Sequence, residues 1–142
     1  MALVYFDASA FVKLVVDEPG TDLAVELWDG CDAAVSSRLA HPEVHAALAA
    51  AERNHDLTMA EATAAHRAWD SYWGAVRPVE LTAEVMASAG RLAVRHALGG
   101  ADAMHLASAL AIDGPSLVVA VWDRRLHSGA TAAGLAVAPA RF

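Results

Sequence analysis

Apolar residues in this chain fall into two alternating kinds of segment. Short continuous runs occupy residues 2–6, 33–36 and 117–122, with a weaker one at 135–137. Runs this short, rich in Val, Tyr and Phe, predict strands buried on both faces. Pro78-Val79-Glu80-Leu81 adds a further strand, third in chain order. Between the strands, apolar positions recur at helical spacing. A first helix is predicted through Ser9–Val15. After the Pro19-Gly20 break, Thr21 or Asp22 caps a second helix that runs to about Trp28. A third spans about Leu39–Asn54, with Val44, Ala47, Leu48 and Ala51 on one face. Thr58-Met59-Ala60-Glu61 has the form of a capping box and opens a fourth helix to about Gly74. Thr82–Ala97 carries the stripe Val85, Ala89, Leu92, Ala93. Past Gly99-Gly100, residues 101–112 carry Ala103, Leu106, Ala107 and Leu110.

Strands alternating with helices, without hairpin signals, imply parallel pairing and an α/β fold: a three-layer α/β/α sandwich around a mostly parallel sheet. The helices at 39–54 and 58–74 both fall between the second and third strands and predict a helical lobe on one side. No repeat, linker or low-complexity tract interrupts the chain, so residues 1–142 read as a single domain.

Composition narrows the class. With 56% hydrophobic and 19% charged residues, the chain suits a packed globule rather than a disordered segment. Cys31 is the only cysteine, which excludes a disulfide framework and a thiolate zinc site. Met1-Ala2-Leu3 runs into the first strand with no basic leader, and no apolar run reaches 18 residues, so a soluble, cytoplasmic chain without membrane spans is expected. A net charge of −7 weighs against a nucleic-acid binder, unless the acids belong to a site that a cation neutralises.

Four acids have such a distribution. Asp7 ends the first apolar run and Asp123 ends the run 117–122, while Glu43 and Asp102 stand near the starts of two helices. Each has a structural explanation when taken alone. Asp7 and Asp123 can cap the helices that follow them, and an acid in a first turn is favoured by the helix dipole. As a set they fit another role, because ligands of open α/β sheets bind beyond the carboxyl ends of the strands. Clustered carboxylates repel unless a cation sits among them. An all-oxygen set suits a hard divalent ion, and with it in-line hydrolysis of a phosphodiester.

The strings Tyr5-Phe6-Asp7-Ala8-Ser9, Pro42-Glu43-Val44, Gly100-Ala101-Asp102-Ala103-Met104-His105-Leu106-Ala107 and Trp122-Asp123-Arg124-Arg125-Leu126 resemble the four acidic motifs of PIN-domain ribonucleases. The likeness is greatest to the VapC-type toxins of bacterial toxin–antitoxin pairs, and it covers essentially the whole chain. It implies a PIN-like sandwich in which Asp7, Glu43, Asp102 and Asp123 are catalytic and cut RNA. Asp7, Asp102 and Asp123 would hold Mg²⁺, with Mn²⁺ as a substitute. Ser9 would lie near the scissile phosphate, and a cognate antitoxin and a homodimer are implied as partners. The chain departs from the pattern at Val121, where many members carry Thr or Ser two residues before the last acid. A catalytically weakened PIN-fold module that only binds RNA or protein is the alternative.

The remaining features refine this picture. Arg124, Arg125 and Arg38 are candidates for phosphate contact, Arg124 foremost. An aspartyl phosphotransferase of the haloacid dehalogenase type would want Asp where Ser9 stands. That class and receiver domains also need a downstream lysine, and Lys13 in the first helix is the only one. His41 and His45 have the i, i+4 spacing of metal ligands, but a zinc-protease motif needs Glu directly after the first His. They are therefore expected as surface or site-flanking residues. His105 shares a helical face with Asp102 and is expected to pack, satisfied, near the core. Trp69, Tyr72 and Trp73 are expected in the core, a partner groove that includes Trp28 being the alternative.

Overall fold

The computed structural model describes residues 2–112, 114 and 116–142. Its elements run β1 (Leu3–Phe6), α1 (Ala8–Val15), α2 (Thr21–Gly30), β2 (Ala33–Ser37), α3 (Ala40–Arg53), α4 (Met59–Trp73), β3 (Arg77–Val79), α5 (Ala83–His96), α6 (Gly100–Leu110), β4 (Leu117–Ala120), α7 (Arg124–Ala132) and β5 (Ala136–Ala138). The five strands form one all-parallel sheet in the order β3-β2-β1-β4-β5. β1 therefore pairs with β2 on one side and β4 on the other, and the strand order reverses between β1 and β4. That gap is where a doubly wound sheet opens a crevice at its carboxyl edge.

Side-chain alternation along the strands builds a core on each face of the sheet. Tyr5, Val35 and Val119 point to one side, where α5, α6 and α7 contribute Val85, Ala89, Leu106, Leu126 and Ala130. Val4, Phe6, Ala34 and Ala120 point to the other and meet Phe11 of α1, Val44 and Leu48 of α3 and Trp69 of α4. The result is the expected three-layer sandwich, with α3 and α4 packed together on the second face. Trp69 is fully buried, and its indole N–H donates to the His41 carbonyl at 3.1 Å, pinning α4 to the start of α3. The Thr58–Glu61 capping box forms, with both reciprocal hydrogen bonds present.

Two differences from the sequence pattern have physical causes. α7 follows Asp123, where the capping acid allows a helix but no apolar period marks its extent, because its buried stripe is Leu126, Gly129 and Ala130, two of them too small to mark one. A Cβ at Gly129 would stand 3.2 Å from Leu98 Cδ1, so the Leu98 side chain would have to shift to admit one. The last two residues of the predicted strand 117–122 lie past the end of β4, although the Val121 N–H still donates to the carbonyl of Ala138, the last residue of β5, at 3.0 Å.

Candidate active site

Asp7 and Asp123 each follow one of the two strands that flank the switch point. Both are also N-caps. Asp7 Oδ1 accepts from the Ala10 N–H at 3.0 Å, and Asp123 Oδ1 accepts from the Leu126 N–H at 3.0 Å. The capping role and the candidate site role thus fall on the same residues. A cap holds the side chain through one oxygen and leaves the other carboxylate oxygen outside the capping bond.

Ser9 ties the two sides of the switch point together. Its hydroxyl donates to Asp7 Oδ1 at 2.6 Å and accepts from the Trp122 N–H at 2.9 Å. The single hydroxyl proton is therefore spent on Asp7, which makes Ser9 a positioning residue in this arrangement. Val121 is fully buried in the core beside Leu126. The hydroxyl at this corner is supplied by Ser9, from across the crevice.

Glu43 and Asp102 approach from helices on opposite faces of the sheet, and His105 links them. His105 Nε2 lies 2.5 Å from Glu43 Oε1, and Nδ1 lies 2.7 Å from the Tyr5 hydroxyl. The Tyr5 oxygen accepts from the Ser37 N–H at 3.1 Å. With a neutral ring, the Tyr5 O–H donates to Nδ1 and Nε2–H donates to the Glu43 carboxylate, so every donor in the chain has an acceptor. The expectation that His105 packs satisfied near the core holds, but its partner is a candidate catalytic acid.

The electrostatics tie the acids into one field. Burial raises the Asp7 carboxyl from 3.8 to about 6, against the pull of His105, Ser9 and the Ala10 N–H, and Asp123 raises it further. Burial also raises Asp102, with Asp123 and Glu43 adding to the effect and His105 and Arg125 opposing it. The His105 ring is disfavoured as a cation by burial. The Glu43 hydrogen bond and the charges of Glu43, Asp7 and Asp102 outweigh that, so its pKa is raised. No three of the four acids bring oxygens within 4.8 Å of one another, so in this arrangement three of them do not directly surround one ion. Mg²⁺ keeps several waters and takes one or two carboxylates directly, so part of the set would act on it through bound water. Mutually repelling, all-oxygen donors around a buried carboxyl are the environment that a hard divalent cation relieves.

The arginines sort differently from the sequence reading. Arg124, the favoured phosphate contact, has its guanidinium over the Phe142 ring at 4.7 Å. Its neighbour Arg125 is the one whose charge reaches Asp102. Arg38 is exposed and paired with Glu80. Lys13 is held by Glu18 at 3.0 Å and the Pro19 carbonyl at 2.7 Å, consistent with its exclusion as a catalytic lysine.

Residues 4–128 match the PIN domain family. Over all 142 residues the chain is 70% identical to ribonuclease VapC45 and to ribonuclease VapC49, both of Mycobacterium tuberculosis, covering 99% of each. The crystal structure of Mycobacterium tuberculosis VapC20, a sarcin–ricin loop cleaving toxin, shares the fold. Its TM-score is 0.67 at 21% identity, over 93% of this chain and 95% of that one. The chain belongs to the PIN-domain family and, within it, to the VapC-type ribonucleases.

Proposed function

We propose that residues 1–142 form one PIN domain in which Asp7, Glu43, Asp102 and Asp123 are the catalytic residues of an endoribonuclease. Asp7, Asp102 and Asp123 would hold Mg²⁺, or Mn²⁺ in its place. The observation that supports this reading is the electrostatic coupling of Asp7 to Asp123, and of Asp102 to Asp123 and the His105-bound Glu43, with Asp7 and Asp123 following the two strands at the switch point. When bound, the divalent ion supplies a water of lowered pKa and charge neutralisation for an in-line displacement at phosphorus. The chain's own residues prepare the rest. Asp7, locked by Ser9 and the Ala10 N–H, presents one fixed oxygen edge. Glu43, held by His105 Nε2, accepts and passes on a proton at the rim of the crevice. Arg125 offers a cation to the RNA backbone beside Asp102.

The 70% identity to VapC ribonucleases supports the following reading of the biological setting. The protein acts in the cytoplasm as the growth-arresting toxin of a toxin–antitoxin pair, dimerises, and is neutralised by a cognate antitoxin. Among the described residues no helix is long and apolar enough to cross a membrane. The test uses purified, antitoxin-free protein stripped with EDTA. RNA cleavage should be absent in EDTA and return on addition of Mg²⁺ or Mn²⁺. Cleavage that persists at full rate in EDTA would contradict the reading. Expression should arrest growth, and co-expression with the product of an adjacent small reading frame should restore it.

A further inference from the structure

A second polar cluster lies on the face of α3 turned away from Glu43. His41 and His45 stand one helical turn apart on α3, and His66 and Asp70 stand one turn apart on α4. Glu43 is two residues from His41 and so roughly 200° around the helix. The two i, i+4 pairs face each other across the packed α3–α4 interface.

The atoms that meet there suit a transition metal. Asp70 Oδ1 lies 3.0 Å from His45 Nε2 and 3.6 Å from His41 Nε2. One ligand atom from each of these residues falls within 4.8 Å of the others. Nitrogen and oxygen ligands at about 2.0–2.1 Å around a tetrahedral ion stand roughly 3.3 Å apart, which these two separations bracket. The surroundings are those of a metal site as well. His45 Nδ1 is 2.7 Å from His66 Nδ1, so the second nitrogen of one ligand already has a partner. His41 packs against the Trp69 and Trp73 rings, which cover one side of the cluster. The side chains of His41, His45 and Asp70 keep 40%, 30% and 64% of their exposure, so an ion can enter from solvent.

We propose that His41, His45 and Asp70 bind one Zn²⁺ ion, clamping α3 to α4 at a site separate from the four acids, with water in the remaining position. Two imidazoles and a carboxylate favour Zn²⁺ over Mg²⁺, whereas the all-oxygen acid site has the opposite preference. His66 is a positioning residue. Without the ion, His45 Nε2–H donates to Asp70 and His66 Nδ1–H donates to His45 Nδ1. With the ion, His45 carries its proton on Nδ1 and donates to His66 Nδ1, whose own proton moves to Nε2. The Nε2 lone pair of His45 is freed, and no proton is lost from the pair.

The test uses untagged, full-length protein freed of metal and titrated with Zn²⁺ by calorimetry and with Co²⁺ by visible absorption. The wild type should bind one equivalent and give the intense visible bands of four-coordinate Co²⁺. His45→Gln and the exposed, conservative Asp70→Asn should each weaken binding by at least the 10–100-fold that loss of an outer-shell partner costs, roughly, and should lose those bands. His66→Ala should weaken binding roughly 10–100-fold with the bands retained. The double variant Asp7→Asn/Asp102→Asn should keep both affinity and bands. Failure of the wild type to bind, bands that persist in His45→Gln and Asp70→Asn, or loss of binding in the acid double variant would each overturn the proposal.

Discussion

Helix α3 presents a polar cluster on each of two faces, and the clusters are built in different ways. Toward the sheet, Glu43 meets His105 in a crevice where Asp7 and His105 are buried and the ends of β1 and β4 position Asp7 and Asp123. Toward α4, His41 and His45 meet Asp70 and His66 in a shallow, solvent-accessible seam. The deep region forces like charges together and accepts an electrostatic cost to do so. The shallow one pairs nitrogen donors with a carboxylate at little cost, because water screens it. Depth thus separates a site under strain, suited to hard-cation chemistry, from one that is already satisfied and becomes a metal site only through proton rearrangement.

The largest difference should be seen in the pH dependence of stability. The Asp7 carboxyl holds its proton up to about pH 6 when folded, against an ordinary value of 3.8, so folding strengthens proton binding. The cost of its charge is absent below about pH 4, grows as pH rises through 6, and then reaches roughly 3 kcal/mol. Asn keeps the capping oxygen for the Ala10 N–H. In EDTA, Asp7→Asn should therefore match wild type at pH 4 and exceed it in unfolding free energy at pH 8, with Mg²⁺ narrowing the gap. An offset that is the same at both pH values would remove the contrast drawn between the two regions.

A smaller effect should follow from Tyr5→Phe. It strands the buried Ser37 N–H and takes a hydrogen bond from His105, at about 1–3 kcal/mol in urea unfolding. In the shallow seam His66→Ala, measured without zinc, should stay within about 0.5 kcal/mol of wild type, as surface changes do. Equal losses at the two positions would mean that the seam is as tightly coupled as the crevice.

Ser9→Ala should cost about 1 kcal/mol or slightly more, because it leaves the Trp122 N–H unpaired and frees Asp7 to rotate. A positioning role predicts a fall in kcat with KM unchanged. A rise in KM alone would return Ser9 to direct phosphate contact. The smallest effect belongs to the arginines. Arg125→Ala should weaken RNA binding by a few-fold and flatten its salt dependence, while Arg124→Ala, stacked on Phe142, should do so less.

How much of this was legible in the sequence depended on the range of the interaction involved. β1 and β4 stood out because burial on both faces leaves a continuous apolar run, and the Thr58 cap because its partner is three residues away. The four acids were visible as candidates for the same local reason. The adjacency of the strands that carry Asp7 and Asp123 was not, since it depends on β4 inserting beside β1, an order that no local pattern encodes. The Glu43–His105 bond joins residues 62 positions apart. Of the histidine seam, the i, i+4 pair on α3 is visible, and without the zinc-protease Glu it reads as surface or site-flanking; Asp70 and His66 become its neighbours only once α3 and α4 pack. Between Arg124 and Arg125, the choice turned on which of two adjacent side chains meets the Phe142 ring, which proximity to Asp123 in sequence does not reveal.

The central claim is that Asp7 and its three partners form the cleavage site, and the most direct measurement compares RNA cleavage rates of wild type and Asp7→Asn. Both proteins should be antitoxin-free, EDTA-stripped and restored with the same Mg²⁺. Since Asn preserves the cap and the fold, the account predicts a loss on the order of 100-fold or more with unfolding still cooperative. Equal rates for the two proteins would contradict it.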